Sequence, residues 1–419
     1  MDFIITANSP GEVAGWVKPV IKELKCTFPE AGISVFLTPC VFASGSEKKV
    51  LQEYAETDRV YDGKEYLKYI LLKVKPDGFN TGESGAVIFL GGDLFHAVLL
   101  GKKLSYPVIA YTEGVFNWEK SIESFLVPDE RTRDVLLKKG ADTVKVEVIG
   151  NLMFDALKPE LSTKEFRAFS GTERETVISL FPGSRPAELE YMLPFFLDTL
   201  RETGKAKIID DNQEASFFLS LSPFIEREQL QKVYESYLFD RGIKGRYLSS
   251  SKFDRLQLED QVELSVIHNQ QYSLMQISDL ALTIPGTNNL ELAHFGVPML
   301  VLLPLNRPEI IPLEGIPGLL GKVPLLGKAL KRRLVPQIAD QMEYVSLVNI
   351  IAGEELVPEL RGILKPADLI KEMNLLLNDS RRLNDMRVKL KELAGDKGAA
   401  SRLVKKIGQS LSSYHQNKP

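Results

Sequence analysis

Leu280-Ala281-Leu282-Thr283-Ile284-Pro285-Gly286-Thr287-Asn288-Asn289-Leu290-Glu291 decides how the rest of the chain is read. An apolar strand, Leu280 to Ile284, stops at a Pro-Gly turn, and a helix opens at Thr287 and Asn288. Backbone N–H groups without helical partners therefore sit where a strand ends, an arrangement that cradles a diphosphate. Glu291 falls about one turn into the helix, where its carboxylate can accept hydrogen bonds from both hydroxyls of a ribose. Leu292-Ala293-His294-Phe295-Gly296-Val297-Pro298-Met299 completes the helix and enters the next apolar run. The combination suits a sugar nucleotide, although a helix start after a buried strand is also plain α/β architecture.

Working outward, short β-branched runs alternate with helical periodicity. They fall at Phe3 to Thr6, Ile33 to Leu37, Ala86 to Leu90, Pro107 to Tyr111, Phe125 to Val127 and Val146 to Ile149. Alternation of this kind predicts parallel strands joined by crossover helices. After a polar stretch from Lys158 to Glu175 the series restarts at Val177 to Phe181, then Ser216 to Leu221, Val262 to Ile267, Leu280 to Ile284 and Met299 to Leu303. At 419 residues the chain exceeds one ordinary core. The expected architecture is α/β, two Rossmann-like domains facing a cleft: residues 1–157, then residues 158–365. Residues 366–419 read as helices that pack back on the first domain.

Composition narrows the class. Hydrophobic residues make up 44% and charged residues 26%, as in a soluble globular protein, and a net charge of −4 gives no general attraction to nucleic acid. No window approaches the roughly 18 to 20 apolar residues that span a bilayer. Met1-Asp2-Phe3-Ile4-Ile5-Thr6 reads as a first strand, not an export signal, so the expected location is the cytoplasm. Cys26 and Cys40 offer neither a disulfide framework nor zinc spacing and read as buried thiols.

Pro308 to Pro336 departs from the pattern. Its bulky apolar residues are punctuated by prolines and glycines and followed by Lys328, Lys331, Arg332 and Arg333. Residues 310–334 fit an anionic membrane surface or, alternatively, a buried crossover loop with a solvated basic end.

Three further loops can carry chemistry. Leu180-Phe181-Pro182-Gly183-Ser184-Arg185-Pro186-Ala187-Glu188 repeats the strand-then-turn arrangement and adds a guanidinium suited to phosphate oxygens; the alternative for Arg185 is an ion pair with Glu188. Ala7-Asn8-Ser9-Pro10-Gly11-Glu12-Val13-Ala14-Gly15-Trp16 opens a helix with two glycines, a weak dinucleotide-like signal without the ribose-binding acid of a nicotinamide site. Leu90-Gly91-Gly92-Asp93-Leu94-Phe95-His96 ends a strand with an acid that could deprotonate a hydroxyl or cap a helix. His96 belongs to the same wall, as a structural or a catalytic residue.

These segments together resemble the lipid A disaccharide synthase family, inverting glycosyltransferases of GT-B fold. The resemblance is carried by Gly11-Glu12-Val13-Ala14-Gly15, Val148-Ile149-Gly150-Asn151, Pro182-Gly183-Ser184-Arg185 with Ala187-Glu188, Gly286-Thr287 with Leu290-Glu291, Pro298-Met299, and the Tyr344 to Leu360 stretch. It implies transfer of an acylated glucosamine from a UDP-sugar donor to a lipid-linked sugar acceptor at the inner face of the cytoplasmic membrane. It implies Asp93 as the catalytic acid-base residue and Arg185, Glu291 and Asn349 at the UDP site. Gly11, Glu12, Gly183, Ser184, Gly286, Thr287 and Asn288 complete the expected donor contacts. No metal and no cofactor are called for, since no Asp-X-Asp motif stands at a comparable strand end; the oligomeric state, a homodimer included, stays open. Departures occur at Trp16, where the family ordinarily has Asp, around Leu90, where a second acid is replaced, and in the Pro285 to Glu291 loop. The Pro308 to Pro336 stretch also runs longer than in the family, so that, the Pro285 to Glu291 loop apart, the departures concentrate near the acceptor and the membrane face. A UDP-GlcNAc 2-epimerase-like enzyme, or a non-catalytic nucleotide-sugar or lipid-binding protein, are the alternative readings.

Overall fold

The computed structural model of the chain describes residues 1–39, 45–172, 176–203, 215–259, 262–308, 326–395 and 397–416. The chain divides into two compact units, Met1–Leu157 with Gly395–Pro419, and Lys158–Ala394.

In the first unit, among the described residues, seven strands form one sheet: β1 (Asp2–Ala7), β2 (Gly32–Leu37), β3 (Arg59–Tyr61), β4 (Gly85–Phe89), β5 (Val108–Tyr111), β6 (Ser124–Val127) and β7 (Val146–Val148). Their order is β3-β2-β1-β4-β5-β6-β7, and every pairing is parallel. β1 and β4 are buried along their whole length. Helices cover both faces of such strands, which is why they read as unbroken apolar runs. Phe36, Tyr61, Tyr69 and Phe79 pack ring on ring inside one flank, with Phe36 and Phe79 centroids 5.2 Å apart.

The second unit holds β8 (Thr176–Phe181), β9 (Ala215–Leu221), β10 (Gly245–Leu248), β11 (Asp254–Leu258), β12 (Glu263–His268), β13 (Leu280–Thr283), β14 (Met299–Pro304) and β15 (Glu359–Gly362). Their order is β10-β11-β12-β9-β8-β13-β14-β15. From β12 to β15 the pairing is parallel, and β10 and β11 are antiparallel additions at one edge. Each unit thus has a crossover reversal, between β1 and β4 in the first and between β8 and β13 in the second. In open α/β sheets ligands bind beyond the carboxyl ends of the strands at that reversal.

Two expectations are corrected. Residues 366–419 do not pack together on the first domain. Helices Pro366–Leu377 and Ser380–Leu393 group with the second unit, and only the last helix, Ala399–Gln416, returns to the first, against helix Lys18–Thr27. Asp155 fixes that return by accepting from the Ala400 N–H at 2.6 Å, and Arg402 donates to the Ile149 carbonyl at 2.6 Å. Cys26 is exposed, on the outward face of its helix next to buried Leu24; Cys40 lies outside the described residues. Residues 309–325, most of the expected membrane segment, also lie outside them, and Leu326–Gln341 is helical. Among the described residues no helix is long and apolar enough to cross a membrane.

Candidate functional site

At the first reversal, the loop after β1 and the loop after β4 are fastened together by Glu12. Its carboxylate accepts from the N–H groups of Asn8 at 2.8 Å and Ser9 at 3.1 Å in its own loop, and of Gly92 at 3.3 Å across the reversal. Gly91 has a φ of 135°, and a Cβ there would collide with the Glu12 carboxyl, so only glycine lets the second loop lie so close. Burial raises the pKa of Glu12 while the three N–H groups oppose that rise. In the unliganded chain three of the roughly four hydrogen bonds a carboxylate accepts thus go to the scaffold, leaving little of Glu12 for a sugar nucleotide. Replacing Glu12 with Ala is expected to destabilise the first unit by about 2–4 kcal/mol, because three N–H groups lose one ionised acceptor. Denaturant unfolding checks this; a change below about 0.5 kcal/mol would mean that water replaces the carboxylate without penalty.

Gly11 lies in the short helical turn Pro10–Glu12 between the cap at Ser9 and the acid. Asp93 is exposed at the far side of the same pair of loops. Its Oδ1 accepts from the Phe95 N–H at 2.9 Å, so the helix cap is realised as well as the strand-end position. His96, half-buried, meets the Tyr66 hydroxyl through Nδ1 at 2.7 Å, and burial lowers its pKa against the opposing charge of Asp93. A neutral imidazole tied to Tyr66 is a wall residue.

The second reversal repeats the device. Glu188 accepts from the N–H groups of Ser184 at 2.9 Å and Arg185 at 3.0 Å, and pairs with the Arg185 guanidinium at 2.5 Å. Gly183, with φ 106°, again has no room for a Cβ against the Glu188 carboxyl and Ile284. The Ser184 and Arg185 amides are therefore turned onto an internal carboxylate, and the ion-pair alternative for Arg185 is the one observed in the unliganded chain.

On the neighbouring strand, the Gly286 turn is tied from within. Asn289 is fully buried and donates to the Ile284 carbonyl at 3.0 Å, while Asn288 donates to the Thr283 hydroxyl at 2.7 Å. Thr287 caps helix Asn288–His294 without a side-chain bond to it. Glu291 stands in the first turn, where burial pushes its carboxyl up to about 7 and a hydrogen bond from Tyr272 works against the rise. The loops bearing Arg185 and Glu291 thus leave adjacent strands, β8 and β13, and Gly183 abuts Ile284. Asp93, Gly11 and Glu12 belong to the other unit.

Asn349 is a further correction. It is wholly buried, and its side chain donates to the Val357 carbonyl at 2.8 Å and to Glu359 at 2.9 Å while accepting from the Leu356 and Val357 N–H groups. Its side-chain hydrogen bonds go to the loop before β15 and to the first residue of that strand, so in the unliganded chain it shapes the loop. Asn289, Tyr272, Glu359 and the backbone N–H partners of Glu12 and Glu188 were missed. Glutamates three or four residues beyond Ser9 and Ser184 were the one available signal, a capping spacing.

A family model described as Lipid-A-disaccharide synthetase matches residues 246–311, which include the Gly286 to Glu291 turn. The Lipid-A-disaccharide synthase of Geobacter sulfurreducens is 27% identical over 266 residues, covering 62% of this chain and 56% of that protein. That of Geobacter metallireducens is 27% identical over 219 residues, covering 52% and 44%. The chain spans about half the length of the curated relatives it matches. Among solved structures, a putative UDP-N-acetylglucosamine 2-epimerase from Listeria monocytogenes has a TM-score of 0.58 over 99% of this chain and 97% of that one, at 14% identity. At that identity the likeness is one of fold, the two Rossmann-like units of the GT-B class. By sequence, the chain is similar to lipid A disaccharide synthases over part of its length.

Proposed function

We propose that the chain is a UDP-sugar-dependent glycosyltransferase of lipid A synthesis, moving an acylated glucosamine or a related sugar to a lipid-linked sugar acceptor with inversion. The observation that carries this reading is the pair of loops at the second reversal, one with Arg185 and one with Glu291, the latter inside the stretch matched by the family model. Glu291 would accept the ribose hydroxyls. Arg185 and the N–H groups of Thr287 and Asn288 would meet the diphosphate, with phosphate competing against Glu188 for the guanidinium. As the acceptor oxygen attacks the anomeric carbon, Asp93 would take its proton, and the bond to UDP would break on the opposite face. Negative charge then grows on the departing diphosphate, where fixed donors lower the barrier most. Titration calorimetry with UDP tests the donor half: Arg185→Ala should weaken binding roughly tenfold or more, and unchanged affinity would remove Arg185 from the site.

Peripheral membrane attachment belongs to the same reading. Helix Gly63–Leu72 and the residues after it leave Leu71 70%, Leu72 68% and Val74 53% exposed, with Leu67 beside them and Lys64, Lys68, Lys73 and Lys75 also exposed. Apolar side chains ringed by lysines fit an anionic lipid surface. Leu71→Ser with Leu72→Ser is expected to reduce co-sedimentation with vesicles containing anionic lipid several-fold, and added salt should release the unaltered protein. Retention indifferent to both would sink this attachment.

A further inference from the structure

Beside Asp93 lies an aromatic surface that the transfer chemistry above does not use. Phe95 sits in the first turn of helix Leu94–Leu104, its N–H bound to the Asp93 carboxylate, so its ring leaves the backbone within the acid's own cap. Trp118 meets it with ring centroids 5.4 Å apart and planes tilted by 37°. Phe95 is 38% exposed and Trp118 47%. Each ring thus leaves more than a third of its surface uncovered.

The position of Trp118 is imposed by its surroundings. Its φ is 59°, the left-handed region that costs a non-glycine residue about 1–2 kcal/mol. The loop is held there by several fastenings. Phe116 packs on core Phe125 with centroids 5.2 Å apart, Ser121 donates its N–H to the Trp118 carbonyl at 2.8 Å, and Lys145 donates to the carbonyls of Glu119 at 2.9 Å and Ile122 at 2.8 Å. The result turns the indole outward onto Phe95. Backbone strain held in place around an exposed apolar ring is an observation from which a binding role can be inferred.

The pair is also anchored to the core by further ring contacts. Ring contacts run from Trp118 to Phe95, from Phe95 to His96 at 5.9 Å, and from His96 to Tyr66 at 5.0 Å, and Tyr66 belongs to helix Gly63–Leu72 with its outward leucines. Tyr66 is fully buried, so this line of contacts runs through the core and fixes where Phe95 stands beside Asp93.

We infer that Phe95 and Trp118 seat an acyl chain of the lipid acceptor, so that the hydroxyl to be deprotonated is delivered to Asp93 by the hydrocarbon attached to the same sugar. This rests on the proposed transfer reaction and adds what selects the acceptor. Two rings tilted to one another form a trough, which fits a hydrocarbon chain, whereas a bare pyranose stacks on one flat face.

Trp16 and Trp118 are the chain's two tryptophans, so Trp16→Phe in the full chain leaves Trp118 as the sole indole reporter. Octyl glucoside below its micellar concentration should shift Trp118 emission to the blue and saturate. Methyl glucoside should do nothing, and Phe95→Ala should weaken the octyl response about tenfold, the loss expected when one aromatic face leaves the seat. Equal responses to both glucosides would indicate sugar stacking, and no response, or one untouched by Phe95→Ala, would indicate no seat; each overturns the inference. In turnover, Phe95→Ala should raise KM for an acylated acceptor while leaving kcat and UDP affinity in place. The titration needs no turnover, so failure of the unaltered protein to release UDP would count against the transferase reading alone.

Discussion

Asp93→Asn is expected to lower sugar transfer by roughly two to four orders of magnitude, the range lost with a general base, while UDP affinity and the thermal midpoint stay in place. The choice of Asn separates two roles that the structure superimposes on one side chain. Asp93 caps helix Leu94–Leu104 through its Oδ1 and the Phe95 N–H. Asn caps about as well as Asp, whereas Ala would cost about 1 kcal/mol in helix stability and confuse the two effects. An amide cannot take up the acceptor proton. Initial-rate assays beside UDP titrations check the prediction. If Asp93→Asn transfers sugar at the unaltered rate, Asp93 is a cap and another group in the first unit takes the proton.

The second large effect concerns Glu291. Its carboxyl is raised from the ordinary 4.5 to about 7 by burial. Ribose hydroxyls donate to the carboxylate form, so UDP affinity is expected to rise between about pH 6 and 8 as that form fills. Glu291→Gln should bind UDP roughly ten- to a hundredfold more weakly, the loss of hydrogen bonds to a charged acceptor, and should keep only the pH dependence that the terminal phosphate of UDP contributes. The stability of the unliganded protein runs in the other direction. A carboxyl whose pKa is raised in the folded state contributes stability that is full below the unfolded value of 4.5 and is lost as pH rises through about 7. Glu291→Gln should therefore gain thermal midpoint relative to the unaltered protein at pH 8 compared with pH 5. A midpoint difference constant with pH would mean that Glu291 does not titrate in this window.

How much of this was readable beforehand follows from what each residue's partners are. β1, β4, β8 and β13 were legible because a strand covered on both faces must be apolar throughout. β3, β10, β11 and β15 were not, since Arg59-Val60-Tyr61, Gly245 to Leu248, Asp254 to Leu258 and Glu359 to Gly362 mix charge with apolar residues at or near sheet edges. The site loops were legible from strand-turn-helix succession, and the parallel topology put both pairs of loops at crossover reversals. What escaped was the destination of polar side chains. Nothing local indicates that Glu12 reaches Gly92, eighty residues on, or that Asn349 is consumed by Val357 and Glu359. Arg185 shows the same limit: sequence allowed phosphate or Glu188, and the unliganded chain takes Glu188. The carboxyl-terminal helices were legible as helices, but their division between the units depended on contacts such as Asp155 with the Ala400 N–H and Arg387 with Asp279.

The central claim is tested most directly by incubating the purified chain with a UDP-diacylglucosamine donor and a diacylglucosamine 1-phosphate acceptor, and following UDP and lipid products by mass spectrometry. The account predicts one UDP released for each disaccharide formed, with the anomeric configuration of the donor inverted in the product. Donor recovered as its 2-epimer, or donor bound by the protein with no disaccharide and no UDP, would contradict it.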